Sequence, residues 1–404
     1  MLKILHSGDW HVREKDLAEV EKCLMYLVER ARTEKPDLII IAGDLSDSEE
    51  IRMKSLSAQL LFRVVTELST IAPVSIITGT PSHDGDAPLL FSFLYPKRVH
   101  VSAGPEQIYL MHHGLSLVAE PGVPMAVISC MPAVTKQFFQ SSDNSVDGTD
   151  AEIGQAMTQI FTGFGAMASL YDAPHILVGH WNVSGAYVSD TQILTGREIE
   201  VSKDQVAMAN ADLVCLGHIH LRQQIGMNIF FSGSIFRKDF GELDEKGLYF
   251  HTIGNGLRTS EFVQVPTRKL VKVSIDTTKW NEFDPNRLKT VREDIKDAIV
   301  QYVIRVYTDD ATQINQSALE RDLVAAGAIK VDVQLHRIPR ETVRCERILQ
   351  LETLPDKIDM LAETKGDTVP DSIREKALLL ETESPERVLE IVSGAAIAIV
   401  TAAA

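Results

Sequence analysis

The 404 residues carry 40 Lys and Arg against 56 Asp and Glu, a formal charge of −16, and are 45% hydrophobic. That is enough apolar material for a large core plus at least one smaller unit, so a soluble chain of more than one domain is expected. The acidic balance speaks against a surface that grips nucleic acid unaided, but it does not exclude a phosphodiester substrate, because bound divalent cations can invert a local field.

Leu2 to Ser7 is a short apolar run ending in Gly8-Asp9, and Leu17, Val20, Leu24, Leu27, Val28 and Ala31 then recur at helical spacing. The continuous strand Asp37 to Ala42 follows, then a polar loop from Gly43 to Glu50, a second helical stretch, and the strand Val74 to Thr78. This βαβ alternation predicts a sheet covered on its faces. Further strands are predicted at Met125 to Met131, His175 to Val178, Asp212 to Leu216, Ile229 to Ser232 and Gly247 to Thr252, so residues 1–265 read as one α/β domain. After Pro266 a small α/β module is predicted over 266–343: strand Leu270 to Ile275, helix Asn286 to Val300, strand Val303 to Tyr307, helix Gln316 to Ala326 and strand Lys330 to Leu335. Residues 344–404 read as a charged helical segment in which Ser384-Pro385-Glu386 supplies an N-cap followed by Pro at the first helical position.

Cys23, Cys130, Cys215 and Cys345 lie far apart with no CxxC pair, which argues for reduced core thiols rather than a disulfide scaffold or a cysteine zinc site. The opening Met1 to Leu5 is too short for a secretory leader, and no apolar run approaches the roughly 18 residues of a membrane span. A cytoplasmic location and no membrane partner are therefore expected. The apolar tail Ala395 to Ala402 is read as packed or partner-bound.

Five strand-to-loop junctions each set Asp or His beside glycine: Gly8-Asp9-Trp10-His11, Gly43-Asp44, Gly79 through Ser82-His83-Asp84, Gly179-His180 and Gly217-His218-Ile219-His220. Loops after different strands of an α/β sheet can converge on one crevice, and glycine lets the backbone turn close to a bound group. Carboxylates mixed with imidazoles suit manganese, iron or zinc better than calcium. Asp9, His11, Asp44, His180, His218 and His220 are too many ligands for one tetrahedral ion, and a carboxylate such as Asp44 can bridge a pair, so two divalent metal ions are expected. Mn2+ is preferred, with Mg2+, Fe2+ or Zn2+ as alternatives. His83 would then serve the leaving oxygen or the charged transition state.

The ordered set Asp9-x-His11, Gly43-Asp44, Ser82-His83-Asp84, Gly179-His180 and Gly217-His218-x-His220 resembles the calcineurin-like metallophosphoesterases. The early Asp-x-His, with Gly233-Ser234 and Phe236-Arg237-Lys238-Asp239-Phe240-Gly241-Glu242, resembles the SbcD-type nucleases of bacteria and phages within them. The resemblance implies an α/β fold with a four-layer α/β/β/α core, a small α/β capping domain facing DNA, and C-terminal helices. It also implies that Asp9, His11, Asp44 and His220 hold one metal and Asp44, His180 and His218 the other, with His83 as catalytic imidazole oriented by Asp84. One departure stands out: the family's third motif reads Gly-Asn-His-Asp, whereas here two residues are inserted and Ser82 stands where the ligating Asn belongs, a poorer donor.

The resemblance further implies a DNA exonuclease and endonuclease subunit whose SbcC-type, SMC-like ATPase partner docks on the C-terminal helices, with residues 371–397 as the docking segment. No phosphate-binding Gly-x-x-x-x-Gly-Lys-Ser/Thr loop occurs here, so ATP would be bound by that partner. The helices Asp16 to Ala31 or Leu56 to Leu68 offer an apolar face for a homodimer. Competing readings are a small-molecule phosphodiesterase or phosphoprotein phosphatase using the same metals, and a degenerate, non-catalytic assembly subunit. DNA-contacting residues are not legible. Arg237, Lys238 and the stretch Arg337 to Arg347 supply scattered positive charge, read first as solvated surface. His112 and His113 are read as structural, His6 as a core or supporting imidazole, Trp10 as packing beneath the metals, and Asn182 as a loop residue.

Overall fold

A computed structural model of the chain describes residues 1–48, 52–119, 124–133, 150–192, 199–289, 293–340, 346–389 and 391. Glu49 and Glu50 of the predicted polar loop, Cys345, and the tail from 392 onward lie outside the described residues. The chain divides into two compact units, Met1–Arg305 with Ile314–His336, and Val306–Gln313 with Arg337–Ala404.

In the first unit the strands are β1 (Leu2–Ser7), β2 (Leu38–Ile41), β3 (Val74–Ile77), β4 (Val99–Ser102), β5 (Glu106–Met111), β6 (Gly114–Ser116), β7 (Ala126–Met131), β8 (His175–His180), β9 (Asn182–Val183), β10 (Glu200–Val201), β11 (Leu213–Gly217), β12 (Gln223–Ile225), β13 (Ile229–Phe231), β14 (Gly247–Gly254) and β15 (Leu257–Gln264). A six-stranded sheet runs β15-β14-β1-β2-β3-β4 and a seven-stranded sheet β12-β13-β11-β8-β7-β5-β6. In the first, β1 to β4 are mutually parallel and β14 returns antiparallel beside β1. In the second, β7, β8, β11 and β13 are parallel. Runs such as Leu38–Ile41 and Leu213–Gly217 are buried at every position, as strands covered on both faces must be.

The three largest apolar clusters among the described residues position the two sheets and their helices. One joins α1 (Leu17–Glu34) and α2 (Leu56–Ile71) to the six-stranded sheet through Leu24, Leu27, Val64 and Leu68 against Leu5, Ile39, Ile41 and Ile76. A second lies between the two sheets, with Ile4, Leu38 and Ile40 facing Ile128, Ile176, Val178 and Cys215. The third packs α3 (Asp150–Ala168), through Met157 and Phe161, on Leu177, Val214 and Leu216 of the seven-stranded sheet. Each buried aliphatic side chain is worth about 1.5–3 kcal/mol. The inward faces of α1 and α2, read from sequence as a possible dimer surface, are thus spent on this core, although Leu56 remains exposed.

The hairpin β14–β15 was not foreseen from the hydrophobic pattern, because β15 is mostly exposed. Its turn is Asn255-Gly256 with both φ angles positive, +54° and +71°, the two-residue geometry that matches strand twist.

The strands β16 (Leu270–Asp276), β17 (Ile299–Tyr307) and β18 (Lys330–Ile338) form a three-stranded sheet, with α4 (Gln316–Ala325) close to its predicted span. Among the described residues the predicted helix Asn286 to Val300 is not formed. The described part holds two short 3-10 turns, Pro285–Lys289 and Glu293–Ile295, and the strand begins already at Ile299. Asp297 adopts a left-handed φ of +57°, which ends helical continuation, and Val300, Tyr302, Ile304 and Val306 alternate into the interior at the period of a strand.

In the second unit, α5 (Leu354–Lys365) is capped by Thr353, whose hydroxyl accepts from the Asp356 N–H, and ends at Gly366 in the left-handed region. The helix α6 (Asp371–Thr382) is tied to it by Arg374 on Asp359 at 2.8 Å. The expected N-cap at Ser384 is present, its hydroxyl accepting from the Arg387 N–H at 3.3 Å. Leu361, Ile373, Leu378, Leu380 and Leu389 are exposed. Among the described residues no helix is long and apolar enough to cross a membrane.

Candidate metal centre

The loops that leave the carboxyl ends of β1, β2, β3, β8 and β11 meet in one place, where open α/β sheets bind their ligands. Backbone bonds lock them together: Asp9 N–H to Gly43 O and His11 N–H to Asp44 O, both 3.0 Å, and Ile235 N–H to Asp9 O, 3.3 Å. Asp9, His11, Asp44 and His218 all hold left-handed φ angles, +49°, +44°, +53° and +82°. Such conformations cost about 1–3 kcal/mol each and persist where the surroundings dictate them, as at functional sites. Gly79 has no room for a side chain, since a Cβ there would overlap the Asp44 carboxylate.

Three groups of ligand-type atoms meet here, Asp9 with His11 and His220, Asp9 with Asp44 and His180, both buried, and at the half-buried rim His11 with Asp47 and His83, each with its atoms within 4.8 Å of one another. His11 Nε2 and His220 Nε2 stand 2.9 Å apart, and Asp9 Oδ2 is buried without a hydrogen-bond partner while Oδ1 accepts from the His218 N–H at 2.9 Å. Facing nitrogens and an orphaned carboxylate oxygen are groups arranged around a cation. Asp44 Oδ2 links the two buried groups, 3.3 Å from His180 Nε2 and 3.7 Å from His11 Nε2.

The electrostatics lead to the same conclusion. Burial pushes Asp44 up, but His180, His83 and His11 outweigh it and hold the carboxyl well below its usual range. Burial opposes charge on His180 too, yet Asp44 and Asp9 bring it up to about 10. The acids favour positive charge at this spot, which a cation held among them would supply. His11, more deeply governed by burial, is pushed down to about 4 and is neutral, the state in which an imidazole ligates.

His83, half-buried at the rim, bonds through Nδ1 to Asp44 Oδ2 at 2.9 Å. Burial lowers its pKa, but that bond and the Asp44 charge raise it above the ordinary histidine value overall. Asp84 does not touch the His83 ring, contrary to expectation. Its carboxylate instead accepts from the N–H groups of Asp44, Leu45, Ser46 and Gly79, at 2.9, 2.7, 3.2 and 2.7 Å, so it fixes the loop that carries Asp44. Ser82 is exposed. The hydroxyl that stands at the site is Thr80's, 3.4 Å from both Asp44 Oδ2 and His180 Nε2, because the inserted residues turn into a short helix, Pro81–Asp84, that carries Ser82 outward. His218 joins neither ligand group, its ring standing edge-on to that of His180 with centroids 5.2 Å apart.

Sequence reasoning missed four residues here. Asp47 lies 3.1 Å from His11 Nδ1, with Oδ1. Glu242 Oε1 lies 2.6 Å from His220 Nδ1. Gln192 donates to the His218 carbonyl at 2.5 Å and accepts from the His220 N–H at 2.9 Å. Lys246, fully buried, donates to the His220 carbonyl at 2.9 Å. Only Glu242 carried a signal, as the acid closing Phe240-Gly241-Glu242.

Arg237 is not solvated surface: its guanidinium donates to the carbonyls of Leu243, Asp244 and Arg268. His112 and His113 sit on an exposed turn. Trp10 is fully buried and donates to Ser7 Oγ at 2.9 Å, and Asn182 lies in the short ribbon β9–β10. Among the described residues His6 bonds no ligand carboxylate. It is buried between the sheets with Nδ1 3.4 Å from His251 Nε2, and burial pushes it down to about 3.

A fold that gathers acids and imidazoles at the ends of parallel strands, in two groups sharing a carboxylate, defines a class of phosphoester hydrolases that work with divalent metals. The chain belongs to the calcineurin-like phosphoesterase family, whose pattern it matches over residues 2–222. It is 27% identical over 300 residues to the SbcD subunit of the nuclease SbcCD from Staphylococcus epidermidis, covering 71% of this chain and 75% of that one. Among solved structures it is similar to GAP50, the anchor in the inner membrane complex of Plasmodium, at 16% identity and TM-score 0.41, covering 65% of this chain and 84% of that one. It is also similar to a dimetal phosphatase from Danio rerio, at 11% identity and TM-score 0.43, covering 65% and 96%.

Proposed function

We propose that this chain is a metal-dependent DNA nuclease, the nuclease subunit of an SbcCD-like complex acting in DNA repair or recombination. The observation that carries the reading is the 27% identity to an SbcCD nuclease subunit running on over 71% of the chain, well past the catalytic histidines. In this reading Asp9, His11, Asp44 and His220 would hold one divalent ion and Asp44 and His180 the other, with Thr80 rather than Ser82 beside the second and His218, outside both ligand groups, adjoining it through its ring contact with His180. Manganese is the favoured metal. When bound there, divalent ions would supply Lewis acidity for an attacking water and offset the charge of the phosphoryl oxygens.

The chain's own residues do the rest. His83 at the rim donates to the leaving oxygen or the developing charge, and its bond to Asp44 fixes which ring nitrogen faces substrate. Asp84 holds Asp44 in place. Residues 1–265 form the nuclease domain and 266–343 the DNA-facing cap. Support for the cap is a cleft of about 840 Å³ lined by Lys272, Gln301, Arg305, Gln334 and His336 together with Asp239, Phe240 and Gly241, only a few residues from Glu242. Residues 344–404 dock the SMC-like ATPase, for which the exposed leucines of α6 supply the apolar contact, and a second copy of the chain completes a cytoplasmic assembly.

The test is release of nucleotides from linear DNA. With manganese the wild type should degrade it and chelator should stop it, while His83→Ala should lose roughly 10²–10⁴-fold in kcat and still bind metal. Hydrolysis of cyclic nucleotides or phosphopeptides with no attack on DNA would move the assignment to a small-molecule or phosphoprotein phosphatase.

A further inference from the structure

We propose that Asp47 is a positioning residue for the metal centre: it holds the His11 ring so that Nε2 faces the first cation, and thereby sets that cation's affinity. The inference rests on His11 being a metal ligand, as read above.

The geometry leaves His11 no alternative among the described residues. Its side chain is fully buried, and Asp47 Oδ1 at 3.1 Å is the acceptor beside Nδ1. The contact is close but oblique, short of a straight hydrogen bond, and Nδ1 has no other hydrogen-bond partner. A neutral imidazole carries one proton. With Nε2 turned toward His220 Nε2 and Asp44 Oδ2, a cation there requires the proton on Nδ1, and a buried N–H must find an acceptor. Asp47 supplies it, fixing the tautomer and raising the basicity of the ligating nitrogen.

The carboxylate is itself held from the far side. Arg13 Nη1 bonds Asp47 Oδ2 at 2.9 Å, and Lys238 Nζ lies 3.3 Å from Oδ1. Arg13 in turn bonds Asp16 at 2.6 Å, and Asp16 bonds Arg268 at 2.7 Å. Arg13, Lys238 and the chain of charge-assisted bonds behind them hold Asp47 beside His11. These two cations also offset its charge, so it acts on the centre as an oriented acceptor rather than as an added anion. His220 has the matching brace in Glu242, whereas His180 Nδ1 faces the Ala42 carbonyl at 2.7 Å. The two positions are thus braced differently, the first by carboxylates and the second by a backbone carbonyl.

Manganese titration of the full chain by calorimetry, with electron paramagnetic resonance counting free Mn2+, tests this directly. Asp47→Ala should weaken the same site that His11→Ala weakens, by about 10–100-fold, and Asp47→Asn, which keeps an acceptor, should weaken it less. The double variant with His11→Ala should bind no more weakly than His11→Ala alone. At limiting manganese Asp47→Ala should lose kcat on a small phosphodiester and regain it as manganese rises, with KM unchanged. Circular dichroism establishes that each variant is folded, and Asp47→Asn serves if the alanine variant is not. Wild-type affinity in both Asp47 variants while His11→Ala is impaired, or additive losses in the double variant, would overturn the proposal. Undiminished affinity in His11→Ala would instead overturn the ligand reading beneath it.

Discussion

Glu242 and His220 are joined at 2.6 Å, carboxylate to Nδ1, and the second oxygen of the same carboxylate lies 3.2 Å from the ammonium of Lys246, which has no exposure at all. One acid therefore orients a candidate ligand and balances a buried cation. Burial pushes its carboxyl up, but His220 and Lys246 hold it far below its usual range.

Removing that acid should have two separable consequences. Glu242→Ala leaves Lys246 with only Asp244 at 3.1 Å as counter-ion, and breaking such a buried pair costs about 3–5 kcal/mol. Glu242→Gln should cost less, yet still weaken manganese binding by about 10–100-fold. Urea unfolding of the metal-free protein reads the first effect and calorimetric titration the second. Wild-type stability in the alanine variant would show that Lys246 is satisfied without Glu242.

The altered third motif makes a contrast between neighbours. An amide oxygen is a better ligand than a hydroxyl, and Thr80, not Ser82, faces Asp44 and His180. Thr80→Asn should tighten the weaker manganese site several-fold, and Ser82→Asn should leave it unchanged. The reverse pattern in a pair of titrations would place the motif the other way round.

Acid should destabilise the fold through the imidazole between the sheets. His6 is pushed down to about 3 by burial, below the unfolded value of roughly 6.5. Its contribution is therefore complete above that unfolded value and is lost as pH falls toward the folded one, about 2 kcal/mol by pH 5. His6→Gln should flatten the dependence of the urea midpoint between pH 7 and 5 in metal-free protein. An unchanged slope would mean that His6 takes up no proton on unfolding.

Three thiols should be inert while the chain is folded. Cys23 and Cys130 are pushed up to about 12 by burial, and Cys215 well above its ordinary value for the same reason. Since the thiolate is the reactive species, iodoacetamide at neutral pH should label none of them until denaturant is added, as read by peptide mass spectrometry. Labelling of Cys215 in the native protein would contradict the packing between the sheets.

Much of this was already written in the order of residues. Runs such as Leu38-Ile39-Ile40-Ile41 and Leu213 to Gly217 are apolar throughout, so their burial is legible, and the Asp and His residues stand at or just beyond the carboxyl ends of such strands, each beside a glycine. The Asn255-Gly256 turn is equally legible as a hairpin signal, but the polar strand beyond it carries no apolar run to mark it. The predicted helix Asn286 to Val300 failed because alternation at Val300, Tyr302 and Ile304 within a sheet outweighed local helical spacing.

The sequence by itself determined the family, the kind of chemistry and the loops that carry it, since these depend on residue type and on strand ends near each residue in the chain. It took the packed chain to set Asp47 behind His11 and Glu242 behind His220, to bind Asp84 to a loop rather than to the His83 ring, and to turn Thr80 rather than Ser82 toward Asp44 and His180. Those relations join residues far apart in the chain or depend on the turn of a short inserted helix. They are set by how two sheets and their loops pack, and no local pattern of residues encodes a direction across that packing.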